Sequence, residues 1–273
     1  MDILIHTAVF IYLLSTAGYV AYLFVQKYYL QKTGFYLLLA GFLCHTIAIG
    51  FGFFQIGHIP ISNFYETLIV AGWAVAAAFI IFQFKFNLKI LGVYAAPLVL
   101  LITGAAVLLP KESVETQAIF KNVWFVFHIL AVFVGEATFA LACGVGVLYL
   151  IQERSIKSKS PGFFYKRLPS LELLDSTGYA CIVTGFTLLT AGIVTGMVYA
   201  KSVWGSFWSW DPKEVWSAIS WLLYAALLHQ RVTIGLRGRR AAIMAIVGFG
   251  VLLFTFFGVN FLLEGHHEAF TRK

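Results

Sequence analysis

Eight apolar runs, each near the length needed to cross a bilayer, constrain this chain before any motif does. A helix spans the hydrocarbon core with about 20 residues. The runs fall at roughly Ile3–Val25, Gly34–Phe54, Phe64–Phe84, Ile90–Leu109, Phe120–Ile151, Gly178–Ala200, Pro212–His229 and Ala241–Leu263. Backbone polar groups in lipid must be bonded internally. The pattern therefore predicts an all-α polytopic membrane bundle of about eight transmembrane helices. Hydrophobic residues make up 60% of the chain and charged residues 11%, which excludes an ordinary soluble domain. No repeat, low-complexity segment or soluble domain separates the runs, so residues 1–273 read as one transmembrane domain. Asp2 leads straight into the first run without a basic stretch, which reads as a retained span rather than a cleaved signal peptide.

The net charge of +7 is not spread evenly. Lys27 and Lys32, then Lys85 and Lys89, then Arg154, Lys157, Lys159, Lys166 and Arg167, then Arg231, Arg237, Arg239 and Arg240 occupy alternate connections between runs. Basic loops stay on the cytoplasmic side, so both termini and the remaining connections are expected outside. No basic stripe suited to nucleic acid is present. Cys44, Cys143 and Cys181 lie singly inside apolar runs with no C-x-x-C pair, so thiol–disulfide chemistry by this chain alone is not expected.

One outer connection, residues 201–216, is unusual. Trp204, Trp208, Trp210, Trp216 and Trp221 lie in or just after it, out of 7 tryptophans in the chain. An interfacial aromatic belt is the plain reading. However, the cluster sits on one junction that ends in a helix-start signal: Asp211 as cap, Pro212 at the first helical position and Glu214 to complete a capping box.

Placing the histidines by depth divides them into groups. His6 and His58 fall near the outer surface, where a solvated imidazole is ordinary. His45 is in the middle of the second run and reads as a packed imidazole or as a functional group. His128 falls at the outer boundary of the fifth run, with Glu136 eight residues deeper on a similar face. His266 and His267 follow the outer end of the eighth run. His229 lies about 25 Å below Pro212 at 1.5 Å per residue, near the cytoplasmic face. One metal cannot bind both His229 and the outer histidines. The close ligand spacings of a zinc site are missing. Haem, which takes axial imidazoles from facing elements and packs its ring on aromatics, suits the outer group better; structural packing remains the alternative.

The stretch from Trp204 through Trp208, Trp210, Asp211 and Glu214 to Trp216 resembles the WWD signature of the haem-handling proteins of cytochrome c biogenesis, a group that includes CcmC-like and CcmF-like members. The whole chain resembles the CcsA-type family. The likeness extends to I-S-N-F-Y-E at 61–66, L-G-V-Y-A-A-P at 91–97, G-F-T-L-L-T-A-G-I-V-T-G at 185–196 and G-V-N-F-L-L-E-G-H-H at 258–267. It implies haem b at an outer site between His128 and His267, walled by Trp204, Trp208, Trp210, Asp211 and Trp216. His229 is then the ligand of a separate transmembrane site. The family usually has an apolar residue where this chain has His266, which competes with His267 as the ligand. Glu66 and Glu136 are candidates to hold imidazole N–H groups. The second ligand at the transmembrane site would come from a partner or from His45.

The resemblance further implies haem transport to the outer face and its presentation for thioether attachment to the C-x-x-C-H motif of apocytochrome c. No acid–base dyad for that step is evident, so the chain contributes positioning. A CcsB/ResB-type membrane protein is the implied partner, with thioredoxin-like thiol reductants and membrane lipid as further contacts. The implied location is the bacterial cytoplasmic (inner) membrane, or the thylakoid membrane if the chain is plastid-encoded. Three rivals are a CcmC-like protein passing haem to a chaperone, a b-type cytochrome electron-transfer subunit and a haem-free transporter. The b-type cytochrome would need paired ligands at both depths. The transporter would show repeats and broken helices.

Overall fold

The computed structural model describes residues 1–111, 122–158 and 162–258, and the described residues form helices and their connections. The helices are α1 (Asp2–Val25), α2 (Tyr28–Ile56), α3 (Phe64–Phe86), α4 (Gly92–Val107, entered through a 3₁₀ turn at Lys89–Leu91), α5 (Val123–Lys157), α6 (Leu171–Trp204), α7 (Pro212–Thr233) and α8 (Arg239–Leu253, continued by a π turn at Phe254–Gly258). The chain is thus an all-α polytopic membrane bundle, and among the described residues 7 helices are long and apolar enough to cross a membrane. The eighth, α7, falls short in composition: its 22 residues include Lys213, Glu214, Gln230 and Arg231. Even so, it runs from one end of the bundle to the other.

That path is fixed by contacts at both ends. Arg167, in the connection after α5, donates to the carbonyls of Leu23 and Phe24 at 3.0 and 3.3 Å, satisfying the end of α1. Lys89 sits 4.6 Å from the ring centre of Tyr28. Arg231 clamps Asp175 at 3.1 and 2.6 Å, and the same carboxylate accepts the Gly238 N–H at 2.8 Å. The four basic connections therefore share one end of the bundle. At the other end lie the start of α1, joined to the chain after α4 by Lys111–Asp2 at 2.6 Å, and the junction between α6 and α7.

Several helices extend beyond the apolar runs. α2 starts at Tyr28 and α6 at Leu171, because Lys27 and Ser170 are extended and the Ser170 hydroxyl caps Leu173 N–H. A polar first turn outside lipid is invisible to a count of apolar residues. Left-handed residues end α1 at Gln26, α2 at Gly57 and α6 at Gly205.

α5 is the hub, packed against α3, α6 and α8. Its antiparallel seam with α6 is built on small residues. A methyl placed on Gly185 would meet Thr138 at 2.6 Å, on Gly192 would meet Val132 at 2.7 Å, and on Gly196 would meet the imidazole of His128 at 2.7 Å. From the other side, Gly135 approaches the backbone of Leu189, where a methyl would stand at 3.2 Å. Without a hydrophobic drive between helices in lipid, close backbone approach through small residues supplies the packing. The 185–196 motif is the α6 half of this seam. Tyr224 of α7 stacks on Phe139 of α5, with ring centres 3.6 Å apart, which brings α7 onto the same hub.

Candidate functional site

The seam ends in a cavity of about 210 Å³ at the α6–α7 end of the bundle. His128, Phe133 and Glu136 of α5 line one side; Trp204, Phe207 and Trp208 of the junction line another. Lys213, Glu214 and Ser217 of α7 complete the polar part of the wall, and the ends of α3 and α8 close it with Thr67 and Thr255.

His128 is held by the seam. Its Nδ1 lies 2.7 Å from the carbonyl oxygen of Gly192. A carbonyl can only accept, so Nδ1 carries the proton and the imidazole lone pair is on Nε2, the tautomer required of a metal ligand. Thr195 donates to the same carbonyl at 3.0 Å. The close approach at Gly196 leaves the ring no room to swing toward α6.

The aromatic junction is equally fixed. Gly205, at φ 77°, stops α6, and its carbonyl accepts Lys201 Nζ at 2.8 Å. The Asp211 side chain accepts Lys213 N–H at 2.9 Å, and Glu214 reaches back to Ser209 N–H, Ser209 Oγ and Asp211 N–H at 2.8, 3.1 and 3.3 Å. This is the capping box expected from the sequence. Asp211 is 5% exposed, and its place is that of the helix cap. Trp210 lies next to it in the left-handed region at φ 60°, a conformation that costs a non-glycine residue about 1 kcal/mol. That turn aims its indole outward: Trp210 is 78% exposed and meets Trp208 edge-on at 6.0 Å. Trp204 packs edge-on against Tyr199. Trp216 is turned away from the cavity onto Phe254, with ring centres 4.6 Å apart. Trp221 stacks on Phe186 and donates to Thr190 Oγ1 at 2.8 Å.

The other singled-out residues fall elsewhere. Glu66 accepts the Ser62 N–H at 2.7 Å in the first turn of α3, while Thr67 beside it faces the cavity. His45 is fully buried, with its Nδ1 3.3 Å from Tyr12 Oη, and does not line the cavity. His6 is exposed and bonded to the Asp2 carbonyl at 2.8 Å. His58 differs from the expectation of a solvated imidazole: it is 3% exposed, with Nδ1 donating to the Ile59 carbonyl at 2.8 Å. His229 is exposed on α7, at the end held by the Asp175–Arg231 clamp and remote from the cavity. His266 and His267 lie outside the described residues. Among the described residues no cluster of metal-ligating side chains forms a multi-ligand metal site.

Lys213 and Phe207 are not among the residues that the sequence singles out, yet both face the cavity. A signal for Lys213 exists. A cation in the first turn of a helix opposes the helix dipole, so a lysine there in so apolar a chain has another reason to be present.

These features define a membrane protein with an aromatic-walled cavity at one end of a helix bundle, into which His128 is the one imidazole set among the described residues. Residues 61–267 match the Cytochrome C assembly protein family, and the chain belongs to it. It is 35% identical over 242 residues to the cytochrome c biogenesis protein CcsA of Guillardia theta, covering 82% of this chain and 80% of that one. It is 32% identical over 288 residues to the protein of the same name from Gloeothece citriformis, covering 88% of each. Among solved structures, the cytochrome c haem lyase CcmF superposes with a TM-score of 0.67 at 16% identity. That superposition covers 98% of this chain and 48% of CcmF, and at this identity the likeness is one of fold.

Proposed function

We propose that this chain handles haem in cytochrome c biogenesis, holding haem b at the Trp-junction end for attachment to apocytochrome c, as the CcsA-type half of a two-part synthase. The observation that carries the reading is His128: one imidazole, its Nε2 lone pair set by the bond to Gly192, in a cavity walled by Trp204 and Trp208. The donor set fits haem better than a bare metal ion, since a flat apolar ring uses the indoles and its iron needs only axial nitrogens. A cavity of about 210 Å³ accepts part of such a ring. The exposed faces of Trp210 and Phe207 offer contact for the remainder.

In this reading His128 and His267 hold the iron, and the junction positions the ring edge. Haem supplies two vinyl groups, across each of which one cysteine thiol of a C-x-x-C-H segment adds to form a thioether. The chain's part is to bind, orient and shield, and positioning alone can account for several kcal/mol of a barrier. In this reading the junction faces the extracytoplasmic side and α7 makes an eighth crossing, which the basic residues gathered at the opposite end support. The membrane is the bacterial cytoplasmic membrane or the thylakoid.

His229 is assigned to a second, transmembrane site near the entry side. It lies on a stripe of α7 with the exposed residues Ile219, Leu222 and Ala226, which faces away from the bundle. That stripe suits a helix of a CcsB/ResB-type partner, which supplies the opposing ligand. The test is to co-produce the chain with such a partner and record haem spectra and covalent cytochrome c for wild type, His128→Ala, His229→Ala and His267→Ala. Each variant should lose attachment, and a normal yield from His128→Ala ends the reading.

A further inference from the structure

Two ionisable side chains of the cavity, Glu136 and Lys213, are consumed by neither a cap nor an ion pair among the described residues. Glu214, by contrast, is occupied in the capping box. Glu136 projects from α5 about 12 Å along the helix from His128, at 1.5 Å per residue. Lys213 projects from the first turn of α7, beside the aromatic junction. Each sits in the electric field of the other, but no contact within ion-pair distance joins them. An ammonium and a carboxyl left apart in an apolar cavity are expensive, and the ammonium also opposes the dipole of its own helix. The cation of the cavity therefore stands at the junction, where the Glu214 carboxylate beside it is taken up by the capping box, and the Glu136 carboxyl lies toward its depth.

We propose that Lys213 anchors an anionic carboxylate arm of the cavity's ligand. Glu136 sets the orientation by repelling that arm from the deep end. Haem carries two propionates on one edge, so the pair fixes which edge of the ring faces the junction and which stays clear of it. The inference rests on the haem reading above. It adds a positioning residue that selects the ligand by its carboxylates rather than by its iron.

The experiment compares haem with haem dimethyl ester, which keeps the ring and iron but has no carboxylates. Both are titrated spectroscopically into the purified complex in the His229→Ala background, so that only the cavity site is read. The unmodified cavity should bind haem about tenfold more tightly than the ester. Lys213→Gln should weaken haem about tenfold, leave the ester unchanged and so abolish the preference, whereas Lys213→Arg keeps it. Glu136→Gln should tighten haem a few-fold without changing the ester. Equal binding of both ligands by the unmodified cavity overturns the proposal, as does equal weakening of both by Lys213→Gln. Should Lys213→Gln fail to fold, the Arg and Glu136→Gln variants still decide: loss of preference in either overturns the proposal. Failure of the unmodified cavity to bind either ligand would instead bring down the haem reading itself.

Discussion

Gly196→Ala places one methyl group against the candidate ligand and leaves every polar side chain in place. The added carbon would lie 2.7 Å from His128 Nδ1 and 2.8 Å from Cε1. Ordinary contact begins near 3.5 Å, so the ring must retreat by roughly 0.7 Å. The Nδ1–Gly192 bond, now 2.7 Å, is then stretched beyond the useful range of about 3.2 Å. Folding should suffer little, since Thr195 still donates to that carbonyl, and a net loss of about 1 kcal/mol is the scale for one such bond. Ligand binding should suffer more, because losing the group that orients a metal-binding imidazole typically costs 10–100-fold in affinity. The assay is a haem titration of the purified protein alongside a thermal melt. Gly50→Ala serves as a control, because a methyl there meets nothing within 4 Å. The expected result is a 10–100-fold weaker haem site in Gly196→Ala with a melt close to that of the control. Wild-type haem affinity in Gly196→Ala would refute the claim that the seam sets the ligand.

Glu214→Ala removes the acceptor for three groups in the junction. It should lower stability by about 1–2 kcal/mol and open the segment 205–211 to protease, measured by limited proteolysis. Trp210→Gly relieves the left-handed backbone at that position. It should leave the melting temperature unchanged or slightly raised while reducing covalent cytochrome c, whereas Trp216→Ala, which loses packing on Phe254, should destabilise the fold by about 3 kcal/mol. Asp175→Ala strands Arg231, which is 11% exposed, and the Gly238 N–H. It should cost about 2–4 kcal/mol and impair haem handling at His229 with the cavity site intact, read from the two sites' spectra.

The bundle was legible in the sequence because lipid imposes a single length scale and forbids unpaired backbone. The alternation of basic connections put all four on one side of the membrane, and the contacts of Arg167 with α1 and of Arg231 with Asp175 gather these connections at one end of the bundle. The capping box could be read from three residues because its bonds are local. What was hidden depends on which helix faces which. Glycines 185, 192 and 196 are merely permissive until α5 is laid against them. Lys213 resembles an interfacial charge until α7 is rotated into the bundle, and His58 counts as a surface residue until its loop folds inward. Helix ends beyond the apolar core, as at Tyr28 and Leu171, depend on capping rather than hydropathy. α7 is helical across the bundle although its composition alone does not declare a membrane span.

The most direct test of the central claim is the coordination of iron at the cavity. In the His229→Ala background, apoprotein reconstituted with one equivalent of haem should give a low-spin spectrum with two axial nitrogens. His128→Ala should convert it to a weakly bound, high-spin form, and added imidazole should restore the low-spin signal. An unchanged low-spin spectrum in His128→Ala would contradict the assignment of His128 as the ligand.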